Sequence, residues 1–243
     1  QRVFYSLHHA FLTRLGCYVV VFRMTDVIMR KNPTAEEHDR FTESWEFLRF
    51  WTRSIAMHAR HAPVLFVGTH KDMITSEKEF HDISEQLNRF LLPMGVFHDL
   101  DVKTYDGGKG MPLLFFPLDN TIGSADPVLA LLRAAVDTAV REDTTDYLHH
   151  QVPLPWLKLH DELKNSGNPY VHLADVQNLA KECNIPKAEV APALMFLHEL
   201  GVLLFYNEPV LREILILDPQ WMVDAISRVV RQWGQIHDIA QLH

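Results

Sequence analysis

The residues with the clearest chemical potential stand in one stretch, Pro63–Asp72, with the sequence PVLFVGTHKD. Val64 to Val67 have the continuous apolar pattern of a strand buried on both faces, as in parallel sheets. Gly68 is predicted to break this strand, and a polar loop follows. Ligands of open α/β sheets lie outside the carboxyl ends of the strands, which would place Asp72 beside a ligand. A fixed carboxylate there can accept two parallel N–H bonds, such as those that the N1–H and amine edge of guanine would donate.

A second interpretation of Asp72 is an ordinary turn or helix-capping residue. Asparagine and aspartate are frequent in the polar loops that follow strands, because their short side chains bond to nearby backbone groups. The stretch alone does not decide between a ligand-binding and a capping role.

The composition limits the class of protein. The 243 residues are 47% hydrophobic, enough to fill the cores of one large or two ordinary domains. Lys and Arg number 23 against 31 Asp and Glu, and this net charge of −8 disfavours binding to the phosphate backbone of nucleic acids. Cys17 and Cys183 are far apart in apolar surroundings, which predicts buried thiols and no disulfide or zinc framework.

The chain shows no targeting or membrane segment at this level. The apolar run Cys17–Phe22 is too short for a signal-peptide core or a transmembrane span. A cytoplasmic protein is therefore expected. Because the chain starts at Gln1, without an initiator Met, and runs directly into patterned structure, we expect it to be a piece of a longer polypeptide.

Residues 1–142 alternate between predicted strands and helices. Capping boxes or an Asp-Pro start mark the helices, at Thr34 with Glu37, Ser76 with Glu79, and Asp126-Pro127. This alternation implies a parallel sheet with right-handed crossovers. The three predicted strands are Cys17–Phe22, Val64–Val67 and Leu113–Pro117.

Residues 153–243 have a different pattern, after a polar linker at 143–152. Three amphipathic helices precede a predicted β-hairpin, in which residues 202–206 pair with residues 211–217. Asp218-Pro219 then caps a final helix. The predicted fold class is an α/β domain with a parallel sheet, followed by a winged-helix-like α+β segment.

Several further motifs give these patterns a family resemblance. The Thr69–Asp72 tetrad resembles the Asn/Thr-Lys-x-Asp guanine motif of Ras-like GTPases. The other segments resemble, in order, the Roc domain and the COR domain that follows it. They are QRVFYSLHHAFL at 1–12, YVVVF at 18–22, Trp51, FPLDNT at 116–121, LPW at 154–156, FLHELGV at 196–202 and ILDPQW at 216–221. The resemblance implies a Ras-like domain that lacks its first half, then the first part of COR.

The resemblance also implies roles for five residues. Asp72 would bind the guanine edge, and Thr69 would brace its loop. His70 stands where Ras-like proteins have the Lys that packs over the base, and Lys71 occupies the variable position. Asn120 lies where the family brings a backbone amide near the guanine oxygen, although the usual Ser-Ala-Lys sequence is absent.

Gln1 falls where DxxGQ GTPases carry the Gln that orients the attacking water, and an ordinary polar residue is the other interpretation. The sequence contains no G-x-x-x-x-G-K-[ST] and no DxxG. The phosphates and Mg²⁺ would therefore be bound only in the complete domain, and this chain alone should not hydrolyse GTP.

The family implies a GTP/GDP switch in which COR couples the nucleotide state to homodimerisation or to neighbouring domains, with protein signalling partners. The parent protein would be a GTPase, and it could also be a protein kinase, as some members of the family are. Two alternatives stay open. One is a signalling scaffold whose degenerate GTPase domain binds no nucleotide, and the other is a DNA-binding winged helix, which the net negative charge disfavours.

If the sheet has the Ras order, the strand Cys17–Phe22 would normally pair with a phosphate-loop strand that this sequence does not contain. An unpaired apolar edge is a template for association with other chains. We therefore expect the isolated chain to aggregate.

Overall fold

The computed structural model describes residues 12–13, 15–29, 32–91, 95, 99–107, 111–141 and 151–228. The chain divides into two compact units, one of residues 14–149 and one that contains residues 150–243.

In the described residues, the first unit has a parallel sheet and three long helices. Its second strand pairs with all three others in parallel, so the described sheet is organised around that strand. The strands are β1 (Tyr18–Arg23), β2 (Pro63–Thr69), β3 (Asp101–Lys103) and β4 (Phe115–Pro117), and the helices are α1 (Ala35–His58), α2 (Glu77–Leu91) and α3 (Pro127–Arg141). This mixed α/β architecture with a parallel sheet confirms the α/β part of the predicted fold class.

The predicted burial of β2 is confirmed, since all seven of its residues are buried. The prediction that Gly68 breaks the strand is wrong. Gly68 lies within β2, where it pairs with Phe22 and Pro117. A Cβ at this position would lie 2.6 Å from Met24 Cγ, so glycine is required here by close packing and not by chain reversal.

The third predicted strand, Leu113–Pro117, corresponds to β4 and is shorter than predicted. The structure also contains β3, which was not predicted. Leu113 is outside β4 and instead forms an isolated antiparallel bridge with Tyr105. β3 and β4 pair with successive parts of β2, at Pro63–Leu65 and Phe66–Gly68 respectively. β3 and β4 therefore lie one after the other along the same edge of β2.

The predicted helix starts are largely as the structure has them. Thr34 and Glu37 form a complete capping box at α1. Asp126 Oδ1 accepts the Val128 N–H at 2.9 Å, as expected of the cap of α3. At α2, Glu79 accepts backbone N–H groups from Ser76 at 3.4 Å and from Thr75 at 2.9 Å.

The core on one face of the sheet lies between β2, β4 and α3. Leu65, Val67, Phe116 and Val128 are its buried members, and Leu132 of α3 packs against them. In β1 the residues paired with Leu65 and Val67 are Val19 and Val21, and these are 46% and 50% exposed. The first strand therefore shows an uncovered apolar surface. Aggregation of the isolated chain stays a prediction.

Among its described residues, the second unit has three helices, a small antiparallel sheet and a further helical segment at 219–228. The helices are α4 (Leu154–Asn165), α5 (Leu173–Glu182) and α6 (Lys187–Glu199), and the strands are β5 (Tyr170–His172) and β6 (Ile214–Ile216). Their shared core contains Leu159, Val176, Leu194 and Leu215.

The predicted hairpin takes a different form. β6 pairs with β5, and the segment before it contributes one bridge, Leu204 to Ile216, with N···O distances of 2.9 and 3.1 Å. The prediction was wrong because Tyr170–His172 was not recognised as a strand. This upstream segment pairs with β6 over three residues in register. The winged-helix likeness stays a prediction.

Candidate functional site

The loop after β2 contains the predicted tetrad. Thr69 ends the strand, and its buried hydroxyl donates a hydrogen bond of 3.1 Å to the backbone oxygen of Phe22. His70 Nδ1 lies 3.1 Å from the same hydroxyl oxygen. Because the hydroxyl gives its only proton to Phe22, Nδ1–H is the donor of this second contact. His70 has left-handed geometry, with φ of 62°, and a 3₁₀ turn at Lys71–Met73 follows it.

Asp72 lies in that turn with an exposed side chain. Its carboxylate has no hydrogen-bond or ion-pair partner among the described residues. Among the described residues, Asp72 accepts no N–H group at the start of α2, where Glu79 accepts those of Thr75 and Ser76. Both oxygens of Asp72 are therefore available to donors from outside the described chain.

The loop after β4 contains Asn120, which is exposed at the tip of a turn. Asp119 fixes this turn, since its Oδ1 accepts the Thr121 hydroxyl at 2.6 Å and the Thr121 N–H at 2.8 Å. These two hydrogen bonds hold the pKa of the Asp119 carboxyl below its ordinary value of 3.8, and the bond from the Thr121 hydroxyl has the larger effect. The turn is thus held by a carboxylate in its charged form.

The two loops meet at one edge of the sheet. β2 and β4 are parallel neighbours, so their carboxyl ends lie together. The Leu118 N–H donates to Gly68 O at 2.7 Å, and the Lys71 N–H donates to Leu118 O at 3.3 Å. The structure therefore brings the tetrad loop and the Asn120 loop together at this edge.

The contact between Lys71 and Asp126 was not predicted from the sequence. Lys71, placed at a variable position, has its Nζ 3.5 Å from Asp126 Oδ1, and the Asp126 side chain is completely buried. Asp126 Oδ2 also accepts the Asp119 N–H at 2.7 Å. The Asp-Pro sequence identified Asp126 as a helix cap, but no local pattern indicates a partner 55 positions away.

These residues suit the base of a guanine nucleotide. The exposed, unpaired carboxylate of Asp72 is the acceptor that the N1–H and amine edge requires, and Asn120 lies on the adjoining loop. No motif for the phosphates is present in the sequence. Among the described residues, no group of three or more His, Cys, Asp or Glu side chains is arranged to bind a metal ion. Gln1 lies outside the described residues.

Comparison with known proteins identifies the chain. Residues 153–242 match a family model described as C-terminal of Roc, COR-A domain. Over 95% of its length the chain is 25% identical to the probable serine/threonine-protein kinase pats1 of Dictyostelium discoideum and 24% identical to leucine-rich repeat serine/threonine-protein kinase 1 of Caenorhabditis elegans. It also resembles the structure of Methanosarcina barkeri Roco2 RocCORdC bound to GDP, with a TM-score of 0.61 and 15% identity over 95% of this chain. The chain is a Roc-COR protein.

The Roc-COR chain spans only part of the length of each of these relatives. It covers 6% of the length of pats1, 10% of the worm kinase and 58% of the Roco2 chain. The structural likeness supports the α/β fold of the Roc-COR chain, and the predicted family membership is confirmed. No helix among the described residues is both long and apolar enough to cross a membrane.

Proposed function

We propose that this Roc-COR chain supplies the guanine-recognition half of a GTP/GDP-binding domain in the full-length protein. Asp72 accepts the N1–H and amine groups of guanine, while Thr69 braces the loop and His70 packs over the base. Asn120 brings a backbone amide near the guanine oxygen. The observation that carries this proposal is the exposed, unpaired carboxylate of Asp72 beside the Asn120 loop at the carboxyl edge of the sheet.

The remaining parts of the nucleotide site are proposed to come from residues outside this sequence. The chain has no G-x-x-x-x-G-K-[ST] motif, so the phosphates and Mg²⁺ are bound only in the complete domain. Phosphoryl transfer depends on positioning and on charge neutralisation at those phosphates, so the chain alone is expected to have no GTPase activity. In the complete domain Gln1 orients the attacking water. GTPase and kinase activity of the full-length protein are parts of this proposal.

The test is calorimetric titration of the full-length protein with GDP, ADP and xanthosine diphosphate. Wild type should prefer GDP. Asp72→Asn should lose at least about tenfold in GDP affinity, because the amide loses one of two acceptors and presents a donor to the guanine amine. The same amide can donate to the C2 oxygen of xanthine, so the variant should gain affinity for xanthosine diphosphate.

A matched control is Asp137→Asn, which changes the same chemical group at an exposed position on α3. It should leave all three affinities unchanged. Equal GDP binding by wild type and Asp72→Asn would contradict the assignment of Asp72.

The alternative function is a signalling scaffold that binds no nucleotide. The observation that favours it is His70, whose Nδ1 is bonded to Thr69 at a position where Ras-like GTPases use a flexible Lys over the base. Thermal unfolding of the full-length protein distinguishes the two. A ligand at 100 times its dissociation constant stabilises the folded state by about 2.7 kcal/mol, whereas a non-binder shows no shift at millimolar GDP.

We further propose a domain arrangement of Roc at 1–142, a linker at 143–152 and COR at 153–243, with a winged-helix-like COR segment. The COR segment couples nucleotide state to homodimerisation or to neighbouring domains and contacts protein signalling partners. Tyr170 and Trp221, stacked at 5.3 Å and 42% and 39% exposed, support a contact surface there. Light scattering of the full-length protein with GDP and with a GTP analogue should give a mass or shape that depends on the nucleotide. One monomeric mass in both states would contradict dimerisation.

A cytoplasmic location is also proposed. It is supported by the state of the two cysteines, which are both free thiols, with Cys183 buried. Fractionation of cells that express the tagged full-length protein should recover it with cytosolic markers, and recovery in a secreted or organelle fraction would overturn this location.

A further inference from the structure

Lys71 occupies the one tetrad position to which the guanine motif gives no role, yet its side chain makes a specific contact. Its Nζ lies 3.5 Å from Asp126 Oδ1, and the exposed fractions of the two side chains are 32% and 0%. A fully buried carboxylate has lost its hydration, so its partners are more consequential than those of a surface pair. Lys71 supplies the positive charge of this contact.

The Asp126 carboxylate also joins two other segments. Its Oδ2 accepts the N–H of Asp119 at 2.7 Å, and its Oδ1 accepts the N–H of Val128 at 2.9 Å. One carboxylate thus contacts the tetrad loop, the turn before Asn120 and the first turn of α3. Hydrogen bonds to an ionised acceptor are among the stronger ones in proteins.

The backbone connects the same two loops at a second place. Leu118 is the link, because its N–H donates to Gly68 O at 2.7 Å and its carbonyl oxygen accepts the Lys71 N–H at 3.3 Å. The loops are therefore joined through the main chain beside β2 and through the Lys71 side chain farther out. Asp72 follows Lys71 directly, so a restraint on Lys71 limits where the Asp72 carboxylate can be.

We propose that Lys71 and Asp126 form a positioning pair, which fixes the Asp72 carboxylate and the Asn120 turn relative to each other before the guanine base binds. This inference rests on the proposed function. Neither residue of the pair contacts the base. Their contribution is preorganisation, because groups that are already fixed lose less conformational freedom on binding.

The pair is tested in the full-length protein with Lys71→Met, which removes the charge, and Lys71→Arg, which keeps it. Lys71→Met should weaken GDP binding about 3- to 10-fold, the size usual for coupled neighbouring groups. The change should be mainly a faster dissociation of GDP, because mutations at a binding site affect the dissociation rate more than the association rate. Lys71→Arg should keep the GDP affinity within about twofold of that of wild type. The matched control is Lys78→Met, an exposed lysine on α2, which should have no effect.

Asp126→Asn completes a double-mutant cycle. If the two side chains act as a pair, the double variant should weaken GDP binding no more than Asp126→Asn alone. Asp126→Asn also disturbs the cap of α3, so the single Lys71 variants provide the test if this variant fails to fold. Lys71→Met leaves both N–H bonds to Asp126 in place.

Hydrogen exchange of the nucleotide-free protein separates positioning from affinity. Lys71→Met should increase exchange at residues 69–73 and 118–121, and Lys71→Arg should not. Unchanged GDP affinity in Lys71→Met, with or without faster exchange, would overturn the positioning role and leave the proposed function intact. Independent, additive effects in the cycle would also overturn it. If wild type binds no GDP, the proposed function fails and this inference with it.

Discussion

The Thr69 hydroxyl donates a hydrogen bond to the backbone oxygen of Phe22, so the last residue of β2 is tied through its side chain to β1. The hydroxyl is buried and also contacts His70. This contact fixes the point at which the chain leaves the sheet for the tetrad loop.

Thr69→Val should lower the free energy of unfolding by about 1 to 2 kcal/mol, because it keeps the shape of the side chain and removes the partner of the buried Phe22 oxygen and of the partly buried His70 Nδ1. Urea unfolding of the expressed chain measures this change. Thr42→Val is the control, since its hydroxyl bonds to His38 O on the exposed face of α1. Equal effects of the two substitutions would show that the Thr69 bond has no special weight.

Gly68→Ala should destabilise the first unit by about 1 to 3 kcal/mol through overpacking. The added Cβ would stand 2.6 Å from Met24 Cγ and 2.9 Å from both Met24 Sδ and Phe115 Cδ2. Met24 is fully buried and has little room to move. In combination with Met24→Ala the Gly68 substitution should cost less than it does alone, as urea unfolding of the four proteins would show. Additive costs would rule out this clash as the cause.

Thr121→Val should raise the pKa of the Asp119 carboxyl toward its ordinary value of 3.8, because the hydroxyl hydrogen bond is the main cause of its lowered pKa. The lowered pKa means that the stabilisation from this turn is present above the unfolded-state pKa and is lost as pH falls through the folded-state pKa. Nuclear magnetic resonance titration of the Asp119 side-chain carbon measures the change. An unmoved pKa would show that the Thr121 hydroxyl is not the main cause of the lowered value.

The Cys183 thiol should make the stability of the second unit depend on alkaline pH. Burial raises its pKa above the ordinary value of 9.0. A raised folded-state pKa means that the stabilisation is complete below 9.0 and is lost as pH rises through the folded-state pKa. As pH rises above 9.0, wild type should therefore lose more unfolding free energy than Cys183→Ala. Burial also raises the pKa of Tyr206, but both proteins contain this residue, so its contribution cancels in the comparison. Parallel pH profiles for the two proteins would contradict the prediction.

Val19→Thr with Val21→Thr should reduce aggregation of the isolated chain. Both valines are about half exposed, and threonine keeps the β-branched shape while it removes apolar surface. Static light scattering against concentration measures the effect. Val20→Thr is the control, because Val20 is buried and its substitution should lower stability without improving solubility. Identical scattering by wild type and the double variant would locate the cause of aggregation elsewhere.

Local signals in the sequence were sufficient for the helix starts and the central strand. The Thr34 capping box, the Asp126 cap and the apolar run of β2 all depend on residues a few positions apart. The order of the motifs along the chain predicted the family, which no single local pattern could indicate. The comparisons confirmed it.

Features that depend on distant partners were not predictable in this way. Asp101–Lys103 is short and partly charged, and it becomes a strand only because β2 offers an edge. The role of Gly68 is set by Met24 and Phe115, and β6 takes β5 as its partner instead of the nearer segment. Lys71 and Asp126 belong to the same class, because their contact exists only after β2 and β4 are side by side.

The position of β2 as the partner of every other described strand in the sheet has a consequence for how the molecule folds. β1 and β2 are separated in sequence by the long helix α1, and β2 and β4 by α2 and β3. Each pairing must close a long loop of chain, which is entropically slow, whereas the helices form from local contacts. The amides of α1 should thus gain protection from exchange before those of β2 during refolding. The loops at the carboxyl ends of β2 and β4 would be the last part of this unit to acquire their final geometry.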